Sequence, residues 1–149
     1  MYTVQKYKLS YVREPDHAIT REKRRIARKD DAAEFCKKYL FDLPVEKLVV
    51  LALDNRNAVM GFTEIEGEVA QCAVYPTAVF RFLLSAGARS FIVAHNHPGG
   101  GENPSEADWN MTDKLTKAGA LLELPCLDHL IISEDRVISL KEMSRWPTV

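Results

Sequence analysis

The pattern of apolar and polar residues divides the first half of the chain into a strand, a helix and a hairpin. Residues 3–12 alternate with a period of two, which predicts an edge strand with one polar face. Over residues 30–40 an acidic start precedes apolar residues at helical spacing, so a first helix is predicted, ending before Pro44. Residues 48–53 are apolar without interruption, and an apolar stretch resumes at 59–65 after a polar turn. Together these two stretches predict a hairpin whose first strand is deeply buried.

The second half of the chain alternates helices with short apolar strands. Pro76 opens and Gly87 closes a stretch with helical spacing, which is the proline-first and glycine-last order typical of helices. Residues 90–94 form a short apolar run, a third helix begins at Ser105, and residues 124–132 return as another buried strand. This alternation indicates an α/β domain, although alternation alone leaves the strand order open.

The composition favours a single domain with no overall attraction to polyanions. The chain has 149 residues and 46% hydrophobic content, which is enough for one sizeable core. Its 20 Lys and Arg residues nearly balance 21 Asp and Glu residues, which excludes a global basic field directed at nucleic acid or a membrane. Basic residues are nevertheless concentrated between Arg13 and Lys29. Residues 1–29 are therefore predicted to form an N-terminal strand and a basic connector, and residues 30–149 the domain proper.

The sequence shows neither the pattern of a targeting or membrane segment nor a cysteine pattern typical of disulfides or thiolate metal sites. No segment approaches the roughly 20 apolar residues that span a bilayer, and the start of the chain lacks the apolar core of a signal peptide. Cys36, Cys72 and Cys126 are far apart, lie among apolar neighbours and form no C-x-x-C pair. We therefore expect a soluble cytoplasmic protein whose cysteines are buried and reduced.

Two histidines at the end of a predicted strand are the strongest candidates for chemistry. In extended backbone His95 and His97 project to the same side, because side chains of a strand alternate with period two. Pro98 and the glycines at 99–101 allow the chain to turn and bring the next helix over both rings. Asp108, in the first turn of that helix, offers a third ligand. Two imidazoles, one carboxylate and an open fourth position are typical of a catalytic zinc site, so one Zn²⁺ ion is predicted.

Each part of this constellation also has a simpler explanation. His95 and His97 could be a pair of surface or loop histidines, and Ser105 with Asp108 could form an ordinary capping box. Metal binding is favoured because it accounts at once for the strand end, the same-side histidines, the glycine turn and the acidic first helical turn.

The spacing His95-x-His97-x10-Asp108, with Ser105 three positions before the aspartate, resembles the signature of the JAB/MPN-plus (JAMM) metalloproteases. Four further motifs resemble the RadC branch of that superfamily, at residues 53–57, 74–76, 94–98 and 127–129. The resemblance implies one JAB/MPN-like α/β domain with a mixed, curved sheet flanked by helices. It also implies hydrolysis of a peptide or isopeptide bond by a zinc-activated water.

The JAMM resemblance assigns roles to further residues. Glu46, just before the first apolar strand, matches the family's general base, which would accept a proton from water and pass it to the leaving amine. Ser105 would donate its hydroxyl to the oxyanion of the tetrahedral intermediate, or would serve only as the helix N-cap. The simpler explanation of Glu46 is an exposed residue leading into a strand. Glu64 is the second candidate for the base, ahead of Glu66 and Glu68.

The remaining histidine of this region, His129, is predicted to be buried and bonded to the backbone or a carboxylate. A fourth protein ligand would close the zinc site, so His129 is not assigned as one. The chain differs from the usual RadC pattern at Tyr75, Thr77 and Gly99, none of which is a predicted ligand.

A function of a different class is also open. The chain could be a DNA-repair-associated accessory module with a structural or vestigial metal site and weak DNA association through residues 21–29, although the balanced charge disfavours this. The H-x-E with P-C-x-x-C of zinc deaminases and the H-E-x-x-H of other zinc proteases are absent. The substrate, an unknown peptide or protein, and the oligomeric state are not specified by the sequence.

Overall fold

Eight helices and strands are formed by the residues that the structure, a computed structural model, describes: 24–66, 76–99, 101, 103–133 and 135–149. In chain order they are α1 (Lys29–Leu40), β1 (Lys47–Leu53), β2 (Val59–Glu66), α2 (Pro76–Ala86), β3 (Ser90–Asn96), α3 (Glu106–Leu121), β4 (Cys126–Ile132) and β5 (Val137–Ser139). They make up one α/β domain in which the three helices flank a single sheet, as the sequence predicts.

Local chemistry determines where the first two helices begin and end. Asp31 Oδ2 accepts hydrogen bonds from the backbone N–H groups of Ala27 and Arg28, at 2.8 Å each, and so satisfies donors at the start of α1. Pro76 occupies the first position of α2, where a missing N–H has no consequence. Gly87 follows the end of α2 with φ of 67°, a conformation that favours glycine.

The sheet is mixed and open, with strand order β2-β1-β3-β4-β5. The inner strand β1 is antiparallel to both β2 and β3, β3 is parallel to β4, and β4 is antiparallel to β5. Because a parallel pair requires a crossover connection, the chain leaves the end of β3, passes through α3 and returns to begin β4. The antiparallel pairing of β1 with β3 places the start of β1 beside the end of β3, which is the edge where the predicted site lies.

Both faces of the sheet are covered, which explains the uninterrupted apolar run of β1. One face of β1 packs against α2 and α3, through Leu48, Val50, Ala52, Val79, Leu83, Met111 and Leu115. The opposite face packs against α1, through Val49, Leu51, Leu53, Ile92, Ala32, Phe35 and Leu40. Alternate residues of β1 and β3 therefore enter two separate cores, and this alternation determines which face of the sheet the side chains at their ends occupy.

The predicted helices and the predicted hairpin are confirmed, with differences at three strands. β4 begins at Cys126, two residues after the predicted start at residue 124. β3 continues two residues beyond the predicted stretch 90–94, so that His95 lies within the strand. β5 was not predicted, because three residues are too few to show a period of two. The predicted strand at residues 3–12 lies outside the described residues.

The remaining structural predictions concern cysteines and membranes. Cys36 and Cys126 are buried free thiols, and burial raises the pKa of each well above its ordinary value. Cys72 lies outside the described residues. Among the described helices, none combines the length and apolar character needed to cross a membrane.

Candidate metal centre

The two candidate histidines meet at the end of β3. His95 is the sixth residue of the strand and is fully buried, opposite Leu48 of β1, whereas His97 is the first residue beyond the strand and is partly exposed. Their Nε2 atoms lie 2.9 Å apart, as the period-two argument predicts. The carbonyl oxygen of Gly101 lies 2.6 Å from Nδ1 of His97, so the glycine turn holds the ring from its outer side.

Asp108 reaches the same point from the first turn of α3. Its Oδ1 lies 3.0 Å from Nε2 of His95 and its Oδ2 lies 3.2 Å from Nε2 of His97. The side chain is held by a capping box, in which Ser105 N–H donates to Asp108 Oδ2 (2.7 Å) and Asp108 N–H donates to Ser105 Oγ (3.1 Å). Burial raises the pKa of Asp108, but the hydrogen bonds with the two imidazoles outweigh it and hold the pKa below its ordinary value. The site therefore contains a buried carboxylate anion.

Glu46, one residue before β1, is the fourth side chain of this group. Its Oε1 is 3.7 Å from Nε2 of His95, and only 15% of its side chain is exposed. Burial raises the pKa of Glu46 and the neighbouring Asp108 adds to this, while the histidines act in the opposite direction. A carboxylate with a raised pKa is well suited to accept a proton near neutral pH.

The chemistry of these four side chains fits a single divalent metal ion. One donor atom from each of Glu46, His95, His97 and Asp108 lies within 4.8 Å of all the others. In a tetrahedral zinc site with bonds of about 2.0–2.2 Å, donor atoms are roughly 3.3–3.6 Å apart, slightly more than the separations among His95, His97 and Asp108. Imidazole and carboxylate donors suit zinc and several other divalent transition metals. The group could therefore bind a metal ion, whose identity the donor set leaves open.

A second layer of hydrogen bonds supports the histidines. His129 is fully buried, and its Nε2 lies 2.8 Å from Nδ1 of His95. Its Nδ1 lies 2.6 Å from Thr112 Oγ1, which in turn donates to the carbonyl oxygen of Asp108 at 2.7 Å. The predicted burial of His129 is confirmed, but the prediction of a backbone or carboxylate partner is wrong, because the ring contacts an imidazole and a hydroxyl. Thr112 was missed, since a threonine inside a helix carries no local signal of such a contact.

Asn96 is a second residue that sequence reasoning missed. It lies between the two histidines in sequence but projects to the opposite face of the sheet, where its carboxamide bonds to the backbone on either side of Glu46. The sequence did contain a signal for it. A residue between two histidines on the same side of a strand must face the other side, and a polar side chain buried there requires hydrogen-bond partners.

The other predicted residues lie outside the four-residue group. Glu64 lies on β2, the strand next to β1, and its Oε1 forms an ion pair with Lys47 Nζ at 3.1 Å. The side chain of Glu66 and all of Glu68 lie outside what the structure describes. Ser105 acts as the N-cap of α3, and its hydroxyl still carries a proton that it could donate.

The basic connector is described only from Arg24 onward. Arg24 Nε donates to the carbonyl oxygen of Val59, and Lys29 pairs with Glu142 at 2.6 Å. Arg25 and Arg28 are exposed. DNA association through residues 21–29 stays a prediction.

A cavity of about 390 Å³ adjoins the outer side of the centre. It is lined by Leu40 at the end of α1, residues 41–43 from the connection between α1 and β1, residues 96–98, and residues 132–133 at the end of β4. His97 is therefore shared between the candidate metal group and a space large enough for several side chains.

Comparison with known proteins finds one matching family model and several similar chains. A family model described as the RadC-like JAB domain matches residues 26–145. The chain belongs to the RadC-like JAB domain family. A UPF0758 protein of Clostridium perfringens is 38% identical over 119 residues, which cover 79% of this chain and 52% of that relative. UPF0758 proteins of Marinobacter nauticus and Flavobacterium johnsoniae are 40% and 38% identical over 113 and 117 residues.

These alignments cover 75% and 78% of this chain and 50% and 51% of the two relatives. The RadC-like chain thus spans about half the length of the curated relatives it matches. Its four candidate metal-binding residues all lie within the matched residues 26–145.

Proposed function

We propose that this RadC-like domain is a zinc-dependent hydrolase that cleaves a peptide or isopeptide amide bond. The observation that carries the proposal is the position of the Glu46 carboxylate, 3.7 Å from His95 and clustered with His95, His97 and Asp108. Two histidines and a carboxylate are a frequent ligand set of catalytic zinc sites, and the second carboxylate stands where a base is needed.

His95, His97 and Asp108 would hold the zinc ion. When bound, zinc would lower the pKa of a water molecule and polarise the carbonyl of the scissile amide. The buried Asp108 anion offsets part of the positive charge, and the capping box keeps its carboxylate oriented toward both rings.

Glu46 would move the proton that hydrolysis requires. As the water oxygen forms a bond to the carbonyl carbon, Oε1 of Glu46 accepts its proton. When the carbon–nitrogen bond breaks, Glu46 returns that proton to the leaving nitrogen, so that the products are a carboxylic acid and an amine. The Ser105 hydroxyl, at the start of α3, would donate to the developing oxyanion.

The cavity beside His97 would receive the substrate chain. Its wall combines the apolar side chains of Leu40, Phe41 and Ile132 with the carboxylate of Asp42, so a peptide with apolar residues near the cleaved bond fits best. The substrates and partners of the longer relatives could involve regions that this chain does not match.

Two measurements test the proposal. Elemental analysis should find about one zinc per wild-type chain and a large loss in His97→Ala; equal metal in both proteins would contradict the proposed site. A panel of fluorogenic peptides and isopeptides should then be cleaved by the zinc-loaded wild type.

The matched control for the base is Glu64, which lies on the adjacent strand and pairs with Lys47. Glu46→Gln should lower kcat by about 10²- to 10⁴-fold with zinc content retained, because it removes the proton acceptor alone. Glu64→Gln should keep the wild-type kcat. Undiminished turnover by Glu46→Gln would overturn the assigned mechanism.

A further inference from the structure

The carboxamide of Asn96 bridges the two backbone groups that flank Glu46. Asn96 Nδ2 donates to the carbonyl oxygen of Val45 at 3.0 Å, and Asn96 Oδ1 accepts from the N–H of Lys47 at 2.8 Å. Asn96 is 5% exposed, so these bonds form in a largely buried environment. The side chain therefore acts on the start of β1 from the face opposite to His95.

These two hydrogen bonds continue the pairing of the two strands beyond the point where the backbone ladder between β1 and β3 ends. The ladder runs from Leu53 opposite Ser90 to Leu48 opposite His95. Beyond Leu48, a carboxamide offers the same donor and acceptor as a peptide group, and Asn96 presents both to the departing strand. The backbone on both sides of Glu46 is thus hydrogen-bonded to a residue of β3, although Glu46 itself precedes β1.

The constraint matters because Glu46 must project toward the histidines. A glutamate has several rotatable side-chain bonds, and a mobile backbone would add further positions for its carboxylate. Holding Val45 and Lys47 fixes the direction of the Glu46 side chain and leaves fewer arrangements in which Oε1 is remote from His95.

We propose that Asn96 is a positioning residue for Glu46, which holds the backbone of the general base so that its carboxylate faces the metal centre. The catalytic part of this inference rests on the function proposed above, whereas the backbone part does not. Asparagine suits the task because aspartate lacks the donor, alanine lacks both groups, and serine offers a single short hydroxyl.

The backbone part is tested by amide hydrogen exchange of the metal-free protein. In Asn96→Ala the N–H of Lys47 should exchange at least tenfold faster, while amides in the centre of β1 and β3 keep their wild-type rates. In Asn96→Asp the acceptor remains, so the N–H of Lys47 should stay protected. Wild-type exchange at Lys47 in Asn96→Ala would overturn the inference whether or not the protein proves to be a hydrolase.

The catalytic part is tested by a double-mutant cycle on the zinc-loaded enzyme. Asn96→Ala should lower kcat by about 10-fold or more, with KM and zinc affinity within threefold of wild type. Combined with Glu46→Gln it should cause no further loss, because a residue that acts through Glu46 has nothing left to position. Multiplied losses in the double variant, or a fall in zinc affinity equal to the fall in kcat, would overturn this role.

Two controls keep the test decisive. Asn110→Ala changes an exposed asparagine of α3 and should leave exchange and kcat at wild-type values. If Asn96→Ala fails to unfold cooperatively, Asn96→Asp replaces it in the kinetic test. Asn96→Asp should lower kcat with KM unchanged. A wild-type kcat in Asn96→Asp would overturn the positioning role. If wild type cleaves nothing on the panel, the proposed function fails, and the exchange at Lys47 alone decides whether Asn96 holds Glu46.

Discussion

Nδ1 of His95 lies 2.8 Å from Nε2 of His129, so the innermost candidate ligand rests on a second buried imidazole. Nδ1 of His95 donates to Nε2 of His129, because the other ring nitrogen of a neutral His129 must donate to a hydroxyl that already donates elsewhere. His129 then donates through Nδ1 to Thr112, whose hydroxyl donates to the backbone of Asp108. Burial lowers the pKa of His129 well below its ordinary value, which favours the neutral ring that this direction requires. The chain of bonds joins two candidate ligands and fixes the tautomer of His95.

Replacing His129 should weaken metal binding although no ligand is removed. His129→Leu leaves the buried Nδ1–H of His95 without an acceptor, and loss of such supporting partners typically costs 10- to 100-fold in metal affinity. Competition between the protein and a chromophoric chelator for zinc measures the change. Thr112→Val, which removes only the hydroxyl, should have a smaller effect in the same direction. Wild-type affinity in His129→Leu would show that His95 is oriented without this partner.

The pH dependence of the metal-free fold should reveal the environment of His97. The hydrogen bond with Asp108 raises the pKa of His97, with a further contribution from the Gly101 carbonyl against the opposing effect of burial. A raised folded-state pKa contributes stability that is fully present below the unfolded value of 6.5 and is lost as pH rises through the folded value.

Urea unfolding in the presence of a chelator should therefore show wild-type stability falling above pH 6.5 relative to His97→Gln. Zinc affinity should show the opposite trend over the same interval, because the metal binds the neutral ring and must displace its proton. A stability difference between the two proteins that does not change with pH would contradict the assigned environment.

Ser105→Ala should destabilise the start of α3. The substitution removes the acceptor for the N–H of Asp108, and loss of an N-cap typically costs about 1 kcal/mol of the free energy of unfolding. Ser105→Thr keeps the acceptor and should remain within a few tenths of a kcal/mol of wild type. Urea unfolding of the metal-free proteins measures both. Equal stability of Ser105→Ala and wild type would mean that the cap contributes nothing in solution.

Gly119→Ala should destabilise the packing of α3 on the sheet. A Cβ at Gly119 would clash with the carbonyl oxygen of Leu124 and approach Phe91 Cε1 at 3.2 Å. Alanine favours an isolated helix by about 1 kcal/mol, but overpacking against backbone typically costs about 1–3 kcal/mol. The net change in unfolding free energy should therefore be unfavourable. Gly61→Ala, whose Cβ would meet no atom within 4 Å, is the control, and stabilisation by Gly119→Ala would contradict the prediction.

The sequence predicted the helices, the hairpin and the approach of His95, His97 and Asp108, because each depends on a local signal. Strand periodicity fixes which side a histidine faces, and a capping box marks where a helix begins. The placement of Glu46 beside them required the family resemblance, since a single glutamate before a strand carries no such signal.

The contacts of Asn96, Thr112 and His129 could not be predicted for a different reason. Each depends on which strands are neighbours and on the register between them, and alternation of elements leaves both open. The bond between His95 and His129 joins residues 34 positions apart across two parallel strands. Such contacts become visible only when the sheet is assembled.

The antiparallel pairing of β1 with β3 has a consequence for how this domain can diverge. A slip of one residue between the two strands would turn Glu46 toward α1 and bury it among the residues that cover that side. The positions of the four candidate metal-binding side chains are therefore tied to the hydrophobic core that sets the pairing. The cavity wall at residues 41–43, which belongs to the connection between α1 and β1, can change without disturbing them. In this architecture, the lining of the cavity can evolve separately from the candidate metal group.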